Sequence, residues 1–186
     1  MLDMDLSVLP GLETDRLQLR AFQESDADAL HLLRADQRTM LHIGRPRSTG
    51  PANALALIRS MEEERQRNAG IGWAIHLREE DRLIGTVGYY RLKKEHHTGE
   101  VGYLLDPEHW GNGLMHEALG AVLACGFDRF RFHRVEAITD PRNTASRMVL
   151  ERRGFRLEGL FKENFLWEGR FLDSAVYSLL NPRRAS

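Results

Sequence analysis

The chain has 186 residues, 42% of them hydrophobic, which suffices for one domain with a substantial core. Its 26 basic and 27 acidic side chains give a formal net charge of −1 at pH 7, so no strong electrostatic field favours nucleic acid or an anionic membrane as a partner. The early acidic residues exclude an ordinary secretory signal, and no stretch is long enough to span a bilayer. We therefore expect one cytoplasmic domain over residues 1–186, with a core from about 12 to 181.

The first half of the chain predicts a strand, two helices and then a β-meander. Alternating residues in RLQLRAF indicate a strand, and the following QESDADALHLLRAD indicates a helix with Ser25 as its N-cap. The stretch TGPANALALIRSMEEERQRNAG predicts a second helix, with Pro51 near its start and Gly70 past its end. Two β-rich runs around REEDR predict a hairpin over 72–93, and GEVGYLLD predicts a further strand.

The second half predicts a parallel strand–helix–strand unit and a final hairpin. Apolar residues recur at helical spacing in LMHEALGAVLACGFDRF, and the strand RVEAIT follows. The lone Cys125 falls on the apolar face of this helix, so core packing is expected of it rather than nucleophilic chemistry. A helix over NTASRMVLERRGF, closed by Gly154, precedes the hairpin RLEGLFKENFLW and FLDSAVYSLL. The fold class is therefore a mixed α/β sheet flanked by helices.

A glycine-rich turn stands immediately before the helix of the parallel unit. Gly111 and Gly113 lack the Cβ atoms that would hold a ligand away, and Asn112 between them tolerates unusual dihedral angles. The first N–H groups of the helix have no intrahelical partner, and the helix dipole adds positive potential there. Such a turn binds anions, especially pyrophosphate, although an isolated G-x-G is equally compatible with an ordinary loop-to-helix junction.

Two common phosphate motifs do not fit this turn. The nucleotide-hydrolase motif G-x-x-x-x-G-K-[ST] is absent, and the dinucleotide motif G-x-G-x-x-G fails because His116 occupies its last glycine position. Histidines flank the glycines without the Cys/His spacing of a metal site, so no metal is expected. The absence of both motifs disfavours a nucleotide hydrolase and a dinucleotide-binding protein.

Five stretches of the chain resemble the GNAT acetyltransferase superfamily, and within it the Rim type that acetylates ribosomal-protein N-termini. They are LETDRLQLRAF, GWAI, EVGYLLDPEHWGNGLMHEAL, HRVEAITDPRNTASRMVLERRGF and LEGLFKE. The resemblance implies the GNAT acyl-CoA N-acyltransferase fold, with a mostly antiparallel central sheet and one splayed parallel pair. It also implies acetyl-CoA as cosubstrate.

The resemblance assigns the coenzyme site to the strand EVGYLL and to the glycine turn. In the family motif Q/R-x-x-G-x-G/A, Trp110 stands at the first position, as is usual for the Rim type, and Met115 stands at the last. Unpaired backbone groups of the splayed strand are expected to meet the pantetheine amides, and one N–H is expected to polarise the thioester carbonyl. The residues expected to bind the coenzyme are Tyr103, Leu104, Leu105, Trp110, Gly111, Asn112, Gly113, Leu114, Met115, Asn143 and Ser146.

Two residues are candidates for catalysis. An α-amino group has a pKa near ~8, so a base must remove its proton at pH 7, and Glu100 opens the strand that leads to the coenzyme. An exposed glutamate at a strand end explains Glu100 almost as well. The Rim-type pattern Asn-x-x-Ser is present as Asn143 to Ser146, and it implies that the serine hydroxyl donates to the departing sulfur. The alternatives are a helix N-cap for Asn143 and a helix-surface position for Ser146.

The sequence thus predicts an acetyl-CoA-dependent N-acetyltransferase. Its favoured acceptor is the α-amino group of a protein or peptide N-terminus, whose nitrogen attacks the carbonyl carbon of the thioester directly. A small amine such as a polyamine, an antibiotic or an amino acid is the alternative acceptor, and a non-catalytic acyl-CoA-binding domain is the alternative function. The oligomeric state is left open by the sequence, a homodimer included.

Overall fold

A computed structural model describes residues 5–182, and these residues form eight strands and five α-helices around one sheet. The strands are β1 Leu12–Glu13, β2 Leu17–Arg20, β3 Ile71–Leu77, β4 Leu83–Lys93, β5 Thr98–Leu105, β6 Arg134–Thr139, β7 Arg156–Trp167 and β8 Arg170–Leu180. The helices are α1 Ala27–Ala35, α2 Gln37–Met40, α3 Pro51–Gln66, α4 Leu114–Asp128 and α5 Thr144–Arg152. The predicted mixed α/β class is confirmed.

The sheet is antiparallel except at one pair of neighbouring strands. Its order is β1-β2-β3-β4-β5-β6-β8-β7, and only β5 and β6 run parallel among the paired strands described. The helix α4 connects these two strands, as the predicted strand–helix–strand unit requires. The hairpins β3–β4 and β7–β8 also form as predicted.

The first predicted helix starts differently from the sequence expectation. A 3₁₀ turn over Glu24–Asp26 precedes α1, and Ser25 is not the N-cap of the helix. Gln23 is the N-cap of the turn and Asp26 that of α1, and the buried Asp26 carboxylate accepts hydrogen bonds from the Gln23 backbone N–H at 2.8 Å and from the Arg20 guanidinium. A buried carboxylate has to be paired, and this requirement places Asp26 rather than Ser25 at the start of the helix.

Helices cover both faces of the sheet. Helix α4 packs its apolar side on one face, where Trp73, Tyr89 and Leu119 are fully buried. Cys125 belongs to this core, and burial raises the pKa of its thiol to about 11, which confirms the predicted packing role. Helices α1 and α3 cover the opposite face in a second apolar cluster that includes Leu104. Because side chains alternate along a strand, β5 presents residues to both layers.

One further property of the helices concerns membranes. Within residues 5–182, no helix combines the length and apolar character that a bilayer span requires.

Candidate active site

The parallel strands β5 and β6 separate partway along their length. They pair only at Thr98↔Arg134, Gly99↔Val135 and Glu100↔Glu136. Beyond this point β5 continues to Leu105 and β6 to Thr139 without pairing with each other. The result is a wedge-shaped gap, in which one edge of β5 has no strand partner. Backbone groups along such an edge can bind the amides of an extended ligand.

The far end of this β5 edge is closed by a side chain from the glycine turn. The Trp110 indole Nε1 donates a hydrogen bond of 2.8 Å to the carbonyl of Leu105. The Leu105 carbonyl therefore already has a hydrogen-bond partner within the chain. Tyr103 and Leu104, whose backbones are expected to contact the pantetheine arm, lie between this carbonyl and the point where β5 and β6 separate. The indole also attaches the glycine turn to the end of the strand.

The turn itself has the geometry that an anion site needs. Gly111 and Gly113 have φ angles of +77° and +74°, a left-handed region that residues with a Cβ rarely adopt. A Cβ on Gly111 would have no heavy atom within 4 Å, and one on Gly113 would meet only the Arg16 guanidinium at 3.8 Å. The space above both glycines is therefore open. Gly113 is the N-cap of α4 and offers no side-chain cap, so the first N–H groups of the helix stay available.

The two residues after Gly113 contribute to this turn through their backbone. The side chains of Leu114 and Met115 are buried in the core, with 5% and 6% of their surface exposed. Only their N–H groups can face a ligand. A ligand at these two positions could therefore be contacted only through the backbone, and the Met115 side chain packs in the core.

A basic side chain that the sequence reasoning missed lies beside the turn. The Arg16 guanidinium donates to the carbonyl of Asn112 at 2.9 Å and forms an ion pair of 2.6 Å with Glu117. About half of its side-chain surface is exposed. No local pattern connects Arg16 with Glu117, since they are 101 residues apart in the chain.

The Asn143–Ser146 segment begins helix α5 on the other side of the gap. Asn143 is the N-cap, and its Oδ1 accepts a hydrogen bond of 3.0 Å from the Ser146 backbone N–H. The capping role named as an alternative for Asn143 is therefore present. This bond occupies Oδ1 alone, and the Nδ2 donor of the same side chain is a separate group that can bind a ligand.

Ser146 is half-buried and bound to a strand residue across the gap. Its Oγ lies 2.9 Å from the phenolic oxygen of Tyr103, and the Ser146 carbonyl, at 3.3 Å from the same oxygen, is a second acceptor for the one phenolic proton. Burial raises the pKa of Tyr103 to about 12, so the phenol keeps its proton at physiological pH. Ser146 is therefore held by Tyr103 and does not stand free on the surface of α5, and the Tyr103 side chain lies at the gap.

Glu100 stands at the last paired position before the gap. Only 15% of its side-chain surface is exposed, and its carboxylate lies 3.2 Å from the Arg91 guanidinium. Burial raises the pKa of Glu100 and the nearby Glu136 carboxylate raises it too, while Arg91 opposes both effects. Glu100 is therefore not a freely exposed strand-end residue. A carboxylate with a raised pKa is a better proton acceptor than an ordinary one.

A histidine–aspartate pair lies beyond the end of β6, and the sequence reasoning did not find it. His42 Nδ1 is 3.2 Å from Asp140 Oδ2, and Arg142 binds the same carboxylate. Burial alone would raise the pKa of Asp140, but hydrogen bonds from Arg142 and His42 outweigh it and lower the pKa to about 2. The pair attaches the segment after α2 to the start of the α5 region.

Among residues 5–182, no three His, Cys, Asp or Glu side chains converge as a metal site would need.

Comparisons with known proteins agree with this geometry. The model of the acetyltransferase (GNAT) domain matches residues 16–156. The chain is 33% identical over 176 residues to the N-acetyltransferase YoaA of Bacillus subtilis, covering 95% of this chain and 99% of that protein. It is 27% identical over 176 residues to a ribosomal-protein alanine N-acetyltransferase of Escherichia coli, covering 92% of this chain and 91% of that enzyme.

Solved structures show the same fold. A GNAT acetyltransferase from Bacillus anthracis superposes with a TM-score of 0.83 at 26% identity, covering 92% of this chain and 99% of that one. RimL, a ribosomal α-N-protein acetyltransferase solved with coenzyme A, superposes with a TM-score of 0.84 at 23% identity, covering 92% and 98%. The family model spans most of the chain, and the splayed strands and the glycine turn lie within it. The chain therefore belongs to the GNAT family and is an acetyl-CoA-dependent N-acetyltransferase.

Proposed function

We propose that the acceptor of this acetyltransferase is the α-amino group of a protein or peptide N-terminus. The Escherichia coli relative at 27% identity is named for the alanine of a ribosomal protein, and a Vibrio fischeri structure with the same kind of name superposes with a TM-score of 0.82 at 27% identity. These similarities favour an N-terminal acceptor of the ribosomal-protein type. The observation that carries the proposal is an open, apolar hairpin beside the gap.

The hairpin β7–β8 exposes an unusual number of large apolar side chains. Strand β7 is the edge of the sheet, and most of its residues are exposed. Six of the hairpin's exposed apolar residues, called here the hairpin face, are Leu157, Leu160, Phe161, Phe165, Leu166 and Phe171. Phe161 and Phe165 lie on the side of the hairpin toward Gly44, and the other four lie on the opposite side. An exposed apolar surface of this extent marks a binding surface for another chain. A small amine would instead need an enclosed pocket.

The hairpin face is connected to the segment that follows α2. A Cβ on Gly44 would collide with the Phe165 ring, so the backbone of this segment packs directly on the hairpin. The same segment holds His42 against Asp140 at the end of β6. A groove between this segment and the hairpin would lead an extended chain end toward the gap between β5 and β6. The groove is proposed from these two contacts.

The proposed coenzyme site uses the gap and the glycine turn. The pyrophosphate would lie on the N–H groups that follow Gly111 and Gly113, where the open space and the positive φ angles suit it. The pantetheine arm would lie along the free edge of β5 and receive the Nδ2 donor of Asn143. The residues assigned to the coenzyme are Tyr103, Leu104, Leu105, Trp110, Gly111, Asn112, Gly113, Leu114, Met115, Asn143 and Ser146.

In the proposed reaction the amine nitrogen forms a bond to the acetyl carbon and the carbon–sulfur bond breaks. Roughly a tenth of an α-amino group is neutral at pH 7, so a base increases the reactive fraction. We assign this role to Glu100, directly or through one water, since its carboxylate lies where the gap begins and its pKa is raised by burial. The electron pair of the broken bond stays on sulfur, where the Ser146 hydroxyl donates a hydrogen bond.

A panel of acceptors tests the proposal. Short peptides with free Ala, Ser or Met N-termini are incubated with acetyl-CoA, and the products are located by mass spectrometry. We expect acetylation at the α-amino group, and peptides with a blocked N-terminus should remain unmodified. Acetylation confined to Lys side chains, polyamines, antibiotics or amino acids would overturn the proposed acceptor. No transfer to any amine, with acetyl-CoA still bound, would favour the non-catalytic alternative.

A further inference from the structure

We infer that Tyr103 is a positioning residue for the leaving group, whose phenol donates to Ser146 so that the serine proton is directed to the thioester sulfur. This inference rests on the proposed role of Ser146 and adds a second hydroxyl to it. No local sequence motif indicates this contact, because Tyr103 and Ser146 are 43 positions apart and lie on different elements.

The geometry places the Tyr103 side chain across the gap. Tyr103 lies on β5, where the strand has already separated from β6, and its ring packs against the core on the α4 side of the sheet. Its phenolic oxygen reaches the first turn of α5, 2.9 Å from Ser146 Oγ and 3.3 Å from the Ser146 carbonyl. The ring therefore links the two walls of the gap in which the thioester is proposed to lie.

The direction of this hydrogen bond follows from the number of protons. A serine hydroxyl has one proton and two lone pairs, and a phenol also has one proton. If Ser146 donated to Tyr103, it would have no proton left for the sulfur. If Tyr103 donates its one proton to Ser146 Oγ at 2.9 Å, in preference to the Ser146 carbonyl at 3.3 Å, the serine proton is free. Hydrogen bonds to a charged acceptor are about twice as strong as neutral ones, so a developing thiolate favours the second arrangement.

The pair stabilises the thiolate without protonating it. The pKa of Tyr103 is about 12, whereas a thiol has a pKa near ~8.5. Transfer of the phenolic proton to sulfur would therefore be unfavourable by roughly three powers of ten. The negative charge stays on sulfur, the amine proton leaves through the base, and the two hydroxyls supply a chain of hydrogen bonds.

A titration of bound coenzyme A tests this chain without any acceptor amine. The thiolate of coenzyme A absorbs in the ultraviolet, so the pKa of the thiol can be followed in complexes with the wild type, with Tyr103→Phe, with Ser146→Ala and with the double variant. In the wild type we expect the bound thiol to have a lower pKa than free coenzyme A. Ser146→Ala should raise it by roughly 1 unit, which is the value of one hydrogen bond to a charged group.

The decisive result is the coupling between the two substitutions. Tyr103→Phe alone should raise the thiol pKa by part of the Ser146→Ala shift, and it should add nothing when Ser146 is already replaced. A purely structural role for the tyrosine would produce the same shift with and without Ser146→Ala, and this outcome would overturn the inference. Tyr89→Phe is the matched control, because it also removes a buried phenolic hydrogen bond, to the Val122 carbonyl at 2.9 Å. It should leave the thiol pKa unchanged.

The same variants also separate this inference from the proposed function. A wild type that lowers the thiol pKa but acetylates no peptide would contradict the proposed acceptor and leave the Tyr103–Ser146 chain supported. If an acceptor is found, Tyr103→Phe should lower kcat about 3- to 10-fold with little change in the KM for acetyl-CoA, because the hydrogen bond strengthens only as charge develops on sulfur. A rise in KM with an unchanged kcat would contradict the positioning role.

Discussion

Glu100 faces Glu136 across the last paired position of β5 and β6, and the two strands separate immediately beyond them. The two carboxylates have different surroundings. Burial opposes the charge of Glu136, but hydrogen bonds from Lys93 and Arg134 outweigh it and lower the pKa of this carboxyl. The pKa of Glu100 is raised instead. Two neighbouring carboxylates with pKa values pushed apart commonly divide structural and proton-accepting roles.

Replacing the proposed base should reduce turnover most strongly at neutral pH. Glu100→Gln keeps the shape of the side chain and removes its ability to accept a proton, so kcat/KM should fall by about 10² to 10⁴ at pH 7. Part of the loss should return at high pH, where more of the acceptor amine is neutral. Steady-state kinetics across a pH series measure both effects, and near-wild-type activity at every pH would place the base elsewhere.

The fall of activity at low pH provides a second test of the Glu100 and Glu136 carboxylates. Because the pKa of Glu100 is raised, activity should decline at a higher pH than an ordinary glutamate would produce. Glu136→Gln removes a neighbouring negative charge that contributes to this raised pKa. It should move the acid limb to lower pH and leave the plateau activity almost unchanged. An equal loss of plateau activity in Glu136→Gln and Glu100→Gln would argue against the division of roles.

The glycine turn predicts a loss of coenzyme affinity that a matched variant does not share. Gly113→Val would place a branched side chain where the phosphate is proposed to approach, in a left-handed conformation that valine resists. Calorimetry should show acetyl-CoA binding weakened by roughly tenfold or more, which corresponds to about 1.4 kcal/mol. Gly169→Val is the control, since Gly169 has a φ of +75° in the β7–β8 turn and open space around it. Equal affinities in the two folded variants would contradict the pyrophosphate assignment.

The hairpin face should affect the acceptor and leave the coenzyme site intact. Phe161 and Phe165 lie on the side of the hairpin that packs against Gly44, with 51% and 40% of their surface exposed. The double substitution Phe161→Ser and Phe165→Ser should raise the KM for a peptide acceptor several-fold, while acetyl-CoA affinity stays the same. Val8→Ser removes a comparably exposed apolar side chain outside the hairpin and serves as the control.

The mass of the protein in solution shows whether this hairpin face binds the acceptor or a second copy of the chain. Light scattering on the wild type and on the double variant reports whether the apolar residues join two copies of the chain. A wild-type monomer supports the acceptor surface. A wild-type dimer that becomes a monomer in the double variant would show that the face joins a second copy and would overturn its assignment to the acceptor.

Asp140 should contribute to stability in a defined pH range. Its pKa is lowered from 3.8 to about 2, so the contribution is complete above pH 3.8 and is lost as the pH falls through about 2. The shift corresponds to ~2 kcal/mol for this largely buried carboxylate. Urea unfolding of Asp140→Asn at pH 7 should therefore show a loss of about 1 to 2 kcal/mol that disappears near pH 2. Asp15→Asn, at an exposed aspartate between β1 and β2, should show no comparable loss.

The sequence by itself determined the features that depend on local patterns. Alternation and helical spacing indicated most strands and helices, and Gly111 and Gly113 indicated the anion-binding turn, because each of these follows from the conformational preferences of neighbouring residues. The short strand β1 and the short helix α2 were not found, since two and four residues are too few to show a period. The start of α1 was wrong because a buried ion pair outweighed the local capping preference of Ser25.

Only the tertiary structure decided which of these groups come together. The point where β5 and β6 separate lies at Glu100, and the contacts of Tyr103 with Ser146 and of Arg16 with Glu117 join residues 43 and 101 positions apart. Such contacts depend on strand register, sheet twist and the packing of α4 and α5, none of which leaves a period in the sequence. The local chemistry of the coenzyme turn is therefore readable from the chain alone, whereas the arrangement of the proposed catalytic groups exists only in the folded protein.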